Sequence, residues 1–301
     1  MKSKNERYFG SVRFFKNLIL LAVIIMILIP VIVSFNLKGD LKDTKSELET
    51  TNQELMALEE RTSNYCDFKA ESPYAELYPE FYAPEGTIAG VKHENTIYLT
   101  FDDGPSDRTV EVLDILKEKD VKATFFVVGN EIPGNEDILR RMADEGHTIA
   151  MHTDTHNYVK IYASVDAFLA DMYGVYSRIE EATGIKPSVF RFPGGSINNY
   201  NSGIYQELTS EMLRRGFVPF DWNISSQDAA LGGPLPVSTI TSNIINGAGN
   251  VSSGVVLMHD SHSKTTTVEA LGPVIDELKA MGFEFGTLSP EVQSVLFAYG
   301  N

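Results

Sequence analysis

From Thr96 onward, short apolar runs alternate with amphipathic segments, and this alternation constrains the possible folds more than any other feature of the chain. Ile97–Phe101, Ala123–Val128, His147–Met151, Val189–Phe192, Phe217–Trp222, Val255–His259 and Phe283–Leu288 read as strands. Between them, Val112, Leu113 and Leu116 mark one helix face, and Ile138, Leu139 and Met142 mark another, closed by Gly146. Phe168, Leu169, Met172, Val175, Tyr176 and Ile179 form the clearest helical stripe. Alternation repeated this often predicts a parallel sheet covered by helices. Over roughly 200 residues a (β/α) barrel and an open doubly wound sheet both fit. No GxGxxG follows the first strand, which disfavours a dinucleotide site.

In either architecture the functional residues sit at the C-terminal ends of the strands. The first strand ends in Thr100-Phe101-Asp102-Asp103-Gly104-Pro105, two adjacent carboxylates stopped by a Gly-Pro turn. The third ends at His152, with His156 four residues on, and the next at Arg191-Phe192-Pro193-Gly194-Gly195. Asp221-Trp222 leads on to Asp228, and the last strand but one ends at His259-Asp260. Adjacent carboxylates turned into one cavity repel each other when both are ionised, unless a cation or an arginine offsets the charge. His152 and His156 face one side if their segment is helical, which is the geometry for clasping one divalent ion. Thr153 stands where a zinc-protease HExxH motif has its general-base glutamate, so a further ligand and a base must come from elsewhere. Asp102 and Asp103 can supply both. His93, His147 and His262 are expected outside the centre.

Thr100–Pro105, His152–His156, Arg191–Gly195, Trp222–Asp228 and Leu257–His259 occur in the order seen in the polysaccharide deacetylases, the NodB-type enzymes of carbohydrate esterase family four. The chain resembles that family over roughly residues 93–290. The resemblance implies a distorted (β/α) barrel of seven or eight strands, here over residues 93–293. It also implies Asp102 as general base, with Asp103, His152 and His156 as ligands of one divalent metal, zinc in first place and cobalt, manganese or nickel as alternatives. Arg191 resembles the arginine that orients the base. Asp228 resembles the acid that tunes a histidine, and His259 the histidine that acts as general acid. Pro193, Gly194, Gly195, Trp222 and Leu257 fall where the family shapes its substrate groove. Two positions depart from the pattern. Gly194 stands where an aromatic is common, and Ala229 where tryptophan is common, so Trp222, Leu257 and Val255 are expected to wall the acetyl pocket instead. The implied reaction is metal-assisted removal of N-acetyl groups from N-acetylglucosamine, with peptidoglycan favoured as substrate. Deacetylation of an exopolysaccharide, a chitooligosaccharide or acetylxylan is the enzymatic alternative, and a non-catalytic glycan-binding scaffold is the other class of reading.

The first 92 residues are of a different kind. Leu18–Phe35 is apolar apart from Ser34, about 27 Å long as a helix, and is preceded by Lys2, Lys4, Arg7, Arg13 and Lys16 in the tail 1–17. This predicts a single-pass membrane anchor with the remainder exported beyond the cell membrane, in preference to a cleaved signal peptide. Leu37, Leu41, Thr44, Leu48, Thr51, Leu55 and Leu58 follow 4-3 spacing, so 36–65 reads as a helical stalk, either a dimerising coiled coil or a single-helix spacer. The Pro- and Gly-containing stretch within 66–92 reads as a linker. Cys66 is the single cysteine, so there is no intrachain disulfide. A net charge of −16 without a basic stripe argues against nucleic acid as a partner.

Overall fold

A computed structural model of the chain describes residues 72–84, 90–230 and 233–297, together with Lys45. The expected anchor, and the stalk apart from Lys45, lie outside the described residues. Among the described residues no helix is long and apolar enough to cross a membrane.

Strand β1 (Thr96–Asp102) is followed by α1 (Asp107–Glu118), β2 (Thr124–Val127), α2 (Glu136–Asp144), β3 (Thr148–Met151), α3 (Tyr158–Ile161) and α4 (Val165–Thr183). Then come β4 (Val189–Phe190), α5 (Tyr205–Arg214), β5 (Val218–Pro219), β6 (Ile224–Ser225), α6 (Val237–Ala248), β7 (Ser253–His259), α7 (Thr265–Ala280) and β8 (Glu284–Gly286). All described strand pairs are parallel, in the order β5-β4-β3-β2-β1-β7-β6. Strand β8 pairs with the first half of β1, whose last residues pair with β2. β5 and β6 end the path without pairing to each other, so the sheet is a barrel open at that seam. This settles the choice left by the sequence in favour of the distorted (β/α) barrel. The run Phe217–Trp222, read as one strand, is the short β5 and a turn, and β6 follows it as a separate strand.

Strand parity sorts the side chains into two layers. Ile97, Leu99 and Phe101 of β1, Phe125 and Val127 of β2, Ile149 and Met151 of β3, and Val256 and Met258 of β7 pack outward against the helices. The alternate residues Tyr98, Phe126, Ala150, Val189, Val218 and Val255 fill the barrel. Continued to the strand ends, the inward series runs from Tyr98 through Thr100 to Asp102, from Ala150 to His152, from Val189 to Arg191, and from Val255 through Leu257 to His259. One alternation therefore fills the barrel below and lines its mouth with titratable groups above.

Residues 72–84, within the stretch read as a linker, are packed on the barrel wall. Phe81 is fully buried, its ring 4.6 Å from Phe217 and 5.1 Å from Tyr176. The buried Arg215 guanidinium donates to the carbonyls of Tyr74 and Leu77 at 2.8 Å and to those of Tyr78 and Phe81 at 3.1 Å. Its Nε lies 2.7 Å from Glu211 Oε1. A tether with its carbonyls held in this way belongs to the folded domain. Arg215→Ala takes the donor from four carbonyls and one of the donors from Glu211, which keeps Arg214 and Ser72, so it should cost about 1–3 kcal/mol. The expected readouts are a lower urea midpoint and new protease cleavage within 72–84.

Candidate active site

Asp102 closes β1 at 3% exposure, directly beside His259 in the β1–β7 register. Its Oδ1 accepts from Arg191 Nη1 at 2.7 Å. Arg191 is fully buried, and its other donors are also placed. Nη1 reaches Thr100 Oγ1 at 2.8 Å, Nε reaches the Phe220 carbonyl at 2.8 Å, and Nη2 reaches the Asp221 carbonyl at 3.0 Å. The guanidinium lies 4.1 Å from the Phe126 ring centroid. Burial lifts the Asp102 carboxyl above its ordinary range even though Arg191 and His259 pull the other way. Oδ2, the oxygen not bonded to arginine, faces His152 Nε2 at 3.7 Å.

Asp103 follows with φ +75°, a left-handed turn that brings its carboxylate round to the same cavity. Its Oδ1 is 3.6 Å from His152 Nε2 and 3.3 Å from His156 Nε2. His152 Nδ1 lies 3.0 Å from the Arg191 carbonyl. A carbonyl only accepts, so Nδ1 carries the hydrogen and Nε2 presents its lone pair. Burial, with His156 adding to it, holds His152 neutral, down to about 3. The expectation of a helical HxxxH is not met. Residues 152–157 form a loop in which Thr153 (φ +73°) and His156 (φ +51°) are left-handed, and this loop, not a helix face, brings the imidazoles together. The donor set fits a divalent ion. Asp103 Oδ1 is buried without a hydrogen-bond partner, and the three ligating atoms lie within 4.8 Å of one another. Two imidazoles and a carboxylate leave coordination positions open, as a catalytic ion requires.

His259 ends β7. Its Nδ1 is 2.7 Å from Asp228 Oδ1, and its backbone N–H donates to Asp228 Oδ2 at 2.9 Å. Thr267 Oγ1 donates to the same Oδ2 at 2.8 Å, and Lys264 Nζ to the Asp228 carbonyl at 2.9 Å. Burial disfavours the imidazolium, but the hydrogen bond and charge of Asp228 outweigh it and push His259 up to about 9. Asp228, buried yet bonded in this way, is held below the usual carboxylate range. His147 is apart from the centre, with Nδ1 accepting the Ala123 N–H, and His262 is exposed against Asp107. A groove of about 400 Å³, lined by Ser106, Asn130, Thr155, Ser261 and His262 among others, opens on Asp103 and His156.

The residues expected to shape the groove are placed as follows. The Pro193 carbonyl accepts from Tyr162 Oη at 2.8 Å. Gly194 is exposed at φ +77°, and a Cβ there would come 2.9 Å from the Tyr158 ring. The Tyr158 ring therefore stands against the side-chain-free position 194, and it meets His156 edge-on at 5.4 Å. Gly195 lies under Phe297, whose ring packs on Trp222 at 4.8 Å. Leu257 lines the barrel two residues below His259, whereas Val255 lies deeper, in the inner core, away from the mouth. Sequence reasoning missed Tyr158, Phe297 and Asp171. Tyr158 follows the second histidine by two residues, and that position is the one signal that pointed to it.

Residues 89–213 match the family described as polysaccharide deacetylase. Over 198 residues the chain is 35% identical to a peptidoglycan-N-acetylglucosamine deacetylase of Bacillus cereus, covering 64% of this chain and 69% of that one. It is also 35% identical to the putative polysaccharide deacetylase YheN of Bacillus subtilis, covering 65% and 67%. The catalytic domain of a peptidoglycan N-acetylglucosamine deacetylase from Eubacterium rectale superposes with a TM-score of 0.67 at 36% identity, over 72% of this chain and 99% of that domain. Five ordered strand-end motifs, an open parallel barrel and these relatives agree, and the chain belongs to the polysaccharide deacetylase family.

Proposed function

We propose that the protein hydrolyses N-acetyl groups on N-acetylglucosamine units of peptidoglycan, releasing acetate and leaving a free amine, with a divalent ion held by Asp103, His152 and His156. The observation that carries this reading is the buried, unpartnered Asp103 Oδ1 between two imidazole Nε2 atoms, with a base and an acid on either side. When bound, such an ion polarises the acetyl carbonyl and acidifies water. Asp102 is the base: Arg191 fixes one of its oxygens, and Oδ2 takes a proton from the attacking water. Burial keeps that carboxylate basic enough to accept it. Collapse of the tetrahedral adduct breaks the C–N bond, and His259 delivers its Nε2 proton to the departing nitrogen, which is too basic to leave as an anion. Asp228 holds Nδ1 and keeps the ring charged until that transfer.

Peptidoglycan is favoured by relatives of that name, the Bacillus cereus and Eubacterium rectale deacetylases among them. It is also favoured by the anchor read at Leu18–Phe35, which would hold the domain outside the membrane beside a cell wall. Tyr200, 57% exposed, packs on Tyr158 at 5.2 Å next to His156 and offers an aromatic face to a neighbouring sugar. Acetate release from peptidoglycan, chitooligosaccharides and acetylxylan tests the substrate, and activity confined to xylan overturns the choice.

The two carboxylates separate cleanly. Asp103→Ala should lose activity together with bound metal and recover in part with excess metal. Asp102→Asn should keep the metal and lose about 10²–10⁴-fold in kcat, with no rescue. The acid must be protonated, so activity falls as pH rises through the His259 pKa. Asp228→Asn removes what raises that value from the ordinary ~6.5, so the alkaline limb of the pH–rate profile should move to lower pH. Tyr200→Ala should raise KM for an oligomeric glycan by a few-fold to about tenfold, with hydrolysis of a small acetyl ester unchanged.

A further inference from the structure

The loop that carries both candidate imidazoles cannot hold its own shape. Thr153 and His156 are non-glycine residues in the left-handed region, and each such residue persists only where its surroundings over-determine it. The surroundings are supplied mainly by α4. Asp171, 5% exposed on that helix, accepts the backbone N–H groups of Asp154 at 2.7 Å and Thr155 at 2.9 Å on Oδ1, and the Thr155 hydroxyl at 2.7 Å on Oδ2. The ammonium of Lys160 is a further 3.9 Å from Oδ2 and exposed. Seven residues along the helix, Arg178 Nε donates to Asp154 Oδ1 at 2.7 Å. Between the two, Gly174 permits the approach: a Cβ there would stand 3.0 Å from both Cβ and Cγ of Asp154. Positions 171, 174 and 178 share one stripe of the helix. From the opposite side, Gly129 N–H donates to the Thr153 carbonyl at 3.0 Å and Asn130 N–H to the Asp154 carbonyl at 2.9 Å. The three residues between the imidazoles are therefore clamped by one helix and one turn, and the clamp includes Asp171, the one charged residue among the buried positions of α4.

We propose that Asp171, with Gly174 and Arg178, is a positioning element that sets the affinity of the Asp103–His152–His156 cluster for its divalent ion, by fixing the loop between the two imidazoles. Asp171 touches none of the reacting groups; it acts through the backbone of Asp154 and Thr155. The inference rests on the reading that this cluster binds a divalent ion and is independent of which glycan is the substrate. A carboxylate is the suitable group because it alone among short side chains can accept two consecutive N–H groups and a hydroxyl without offering a donor that clashes with them.

The test is the zinc dissociation constant of the full-length chain, measured by competition with a chelator of known affinity, alongside the melting temperature of the metal-free protein. Asp171→Ala should weaken zinc about 10–100-fold, the usual loss when a group that orients a ligand is removed. Asp171→Asn, which keeps an oxygen for the N–H groups and lets the Thr155 hydroxyl turn to accept, should restore most of that loss. Gly174→Ala presses on Asp154 while favouring the helix by up to about 1 kcal/mol. It should therefore weaken zinc without lowering the metal-free melting temperature, a combination that a merely structural role does not produce. At saturating zinc, kcat of these variants should return toward the wild-type value. Wild-type zinc affinity in both Asp171→Ala and Gly174→Ala overturns the proposal. Should Asp171→Ala fail to fold, unchanged affinity in Gly174→Ala suffices to overturn it. A wild-type chain that binds no zinc, cobalt, manganese or nickel overturns the metal reading itself, which is a separable outcome.

Discussion

The ion pair between Arg191 and Asp102 is buried at the top of the barrel, and the rest of the site is arranged around it. Taking both charges from solvent costs several kcal/mol for each, and a 2.7 Å contact offsets that only when the remaining donors are satisfied. Here the guanidinium donates to the Thr100 hydroxyl and to the carbonyls of Phe220 and Asp221, and rests over Phe126, so the pair is tied to the ends of β1 and β5. The same residue also orients a candidate ligand, since the Arg191 carbonyl receives His152 Nδ1. One position thus fixes the Asp102 carboxylate and one imidazole together. Removing the arginine would leave Asp102 buried and uncompensated.

Three histidines of this chain show how surroundings set chemistry. His152 and His147 are held neutral by burial, down to about 3 and about 4, the first with its Nε2 lone pair aimed at Asp103 and the second bonded to a backbone N–H outside the site. His259, half-buried, is pushed the other way to about 9 because it faces the Asp228 carboxylate. A neutral ring can ligate and a charged ring can donate a proton, so one side-chain type is fitted for two kinds of chemistry. Asp260 adds a third kind of group. It is buried against Thr109 and the start of α1, burial pushes it up to about 7, and its Oδ2 accepts the Thr109 hydroxyl at 2.6 Å, which ties β7 to that helix.

At the arginine motif the groove departs from the family pattern without leaving a hole. Position 194 carries no side chain, and the Tyr158 ring stands against it. Gly195 has Phe297 over it, held by an N–H donated to Asp221 Oδ2 at 2.7 Å, and Phe297 in turn covers Trp222. Aromatic surface reaches the mouth of the barrel from α3 and from the C-terminal segment, two places distant in the chain from the arginine motif.

The sequence by itself determined the alternation of strands and helices, and with it the parallel sheet and the strand ends at which chemistry would gather. Period-two parity is a local property, so the inward places of Asp102, His152, Arg191 and His259 follow once the strands are known. Their ordered motifs were enough to identify the family. What only the tertiary structure decided depends on residues far apart in the chain. The choice of open barrel over flat sheet lies in one inner core, from Tyr98 through Phe126, Ala150, Val189 and Val218 to Val255, shared by strands distant in the chain, with β5 and β6 left unpaired at its seam. The HxxxH segment is a left-handed loop because Asp171 and Arg178, more than a dozen residues later, clamp it; read alone, its spacing suits a helix. The stretch 72–84 has the Pro content of a tether, yet Arg215, over 130 residues away, gathers four of its carbonyls. Gly194 and Gly195 look like gaps until Tyr158 and Phe297 are seen against them. Local pattern fixes which way a side chain points, but which distant group meets it there is settled only by packing.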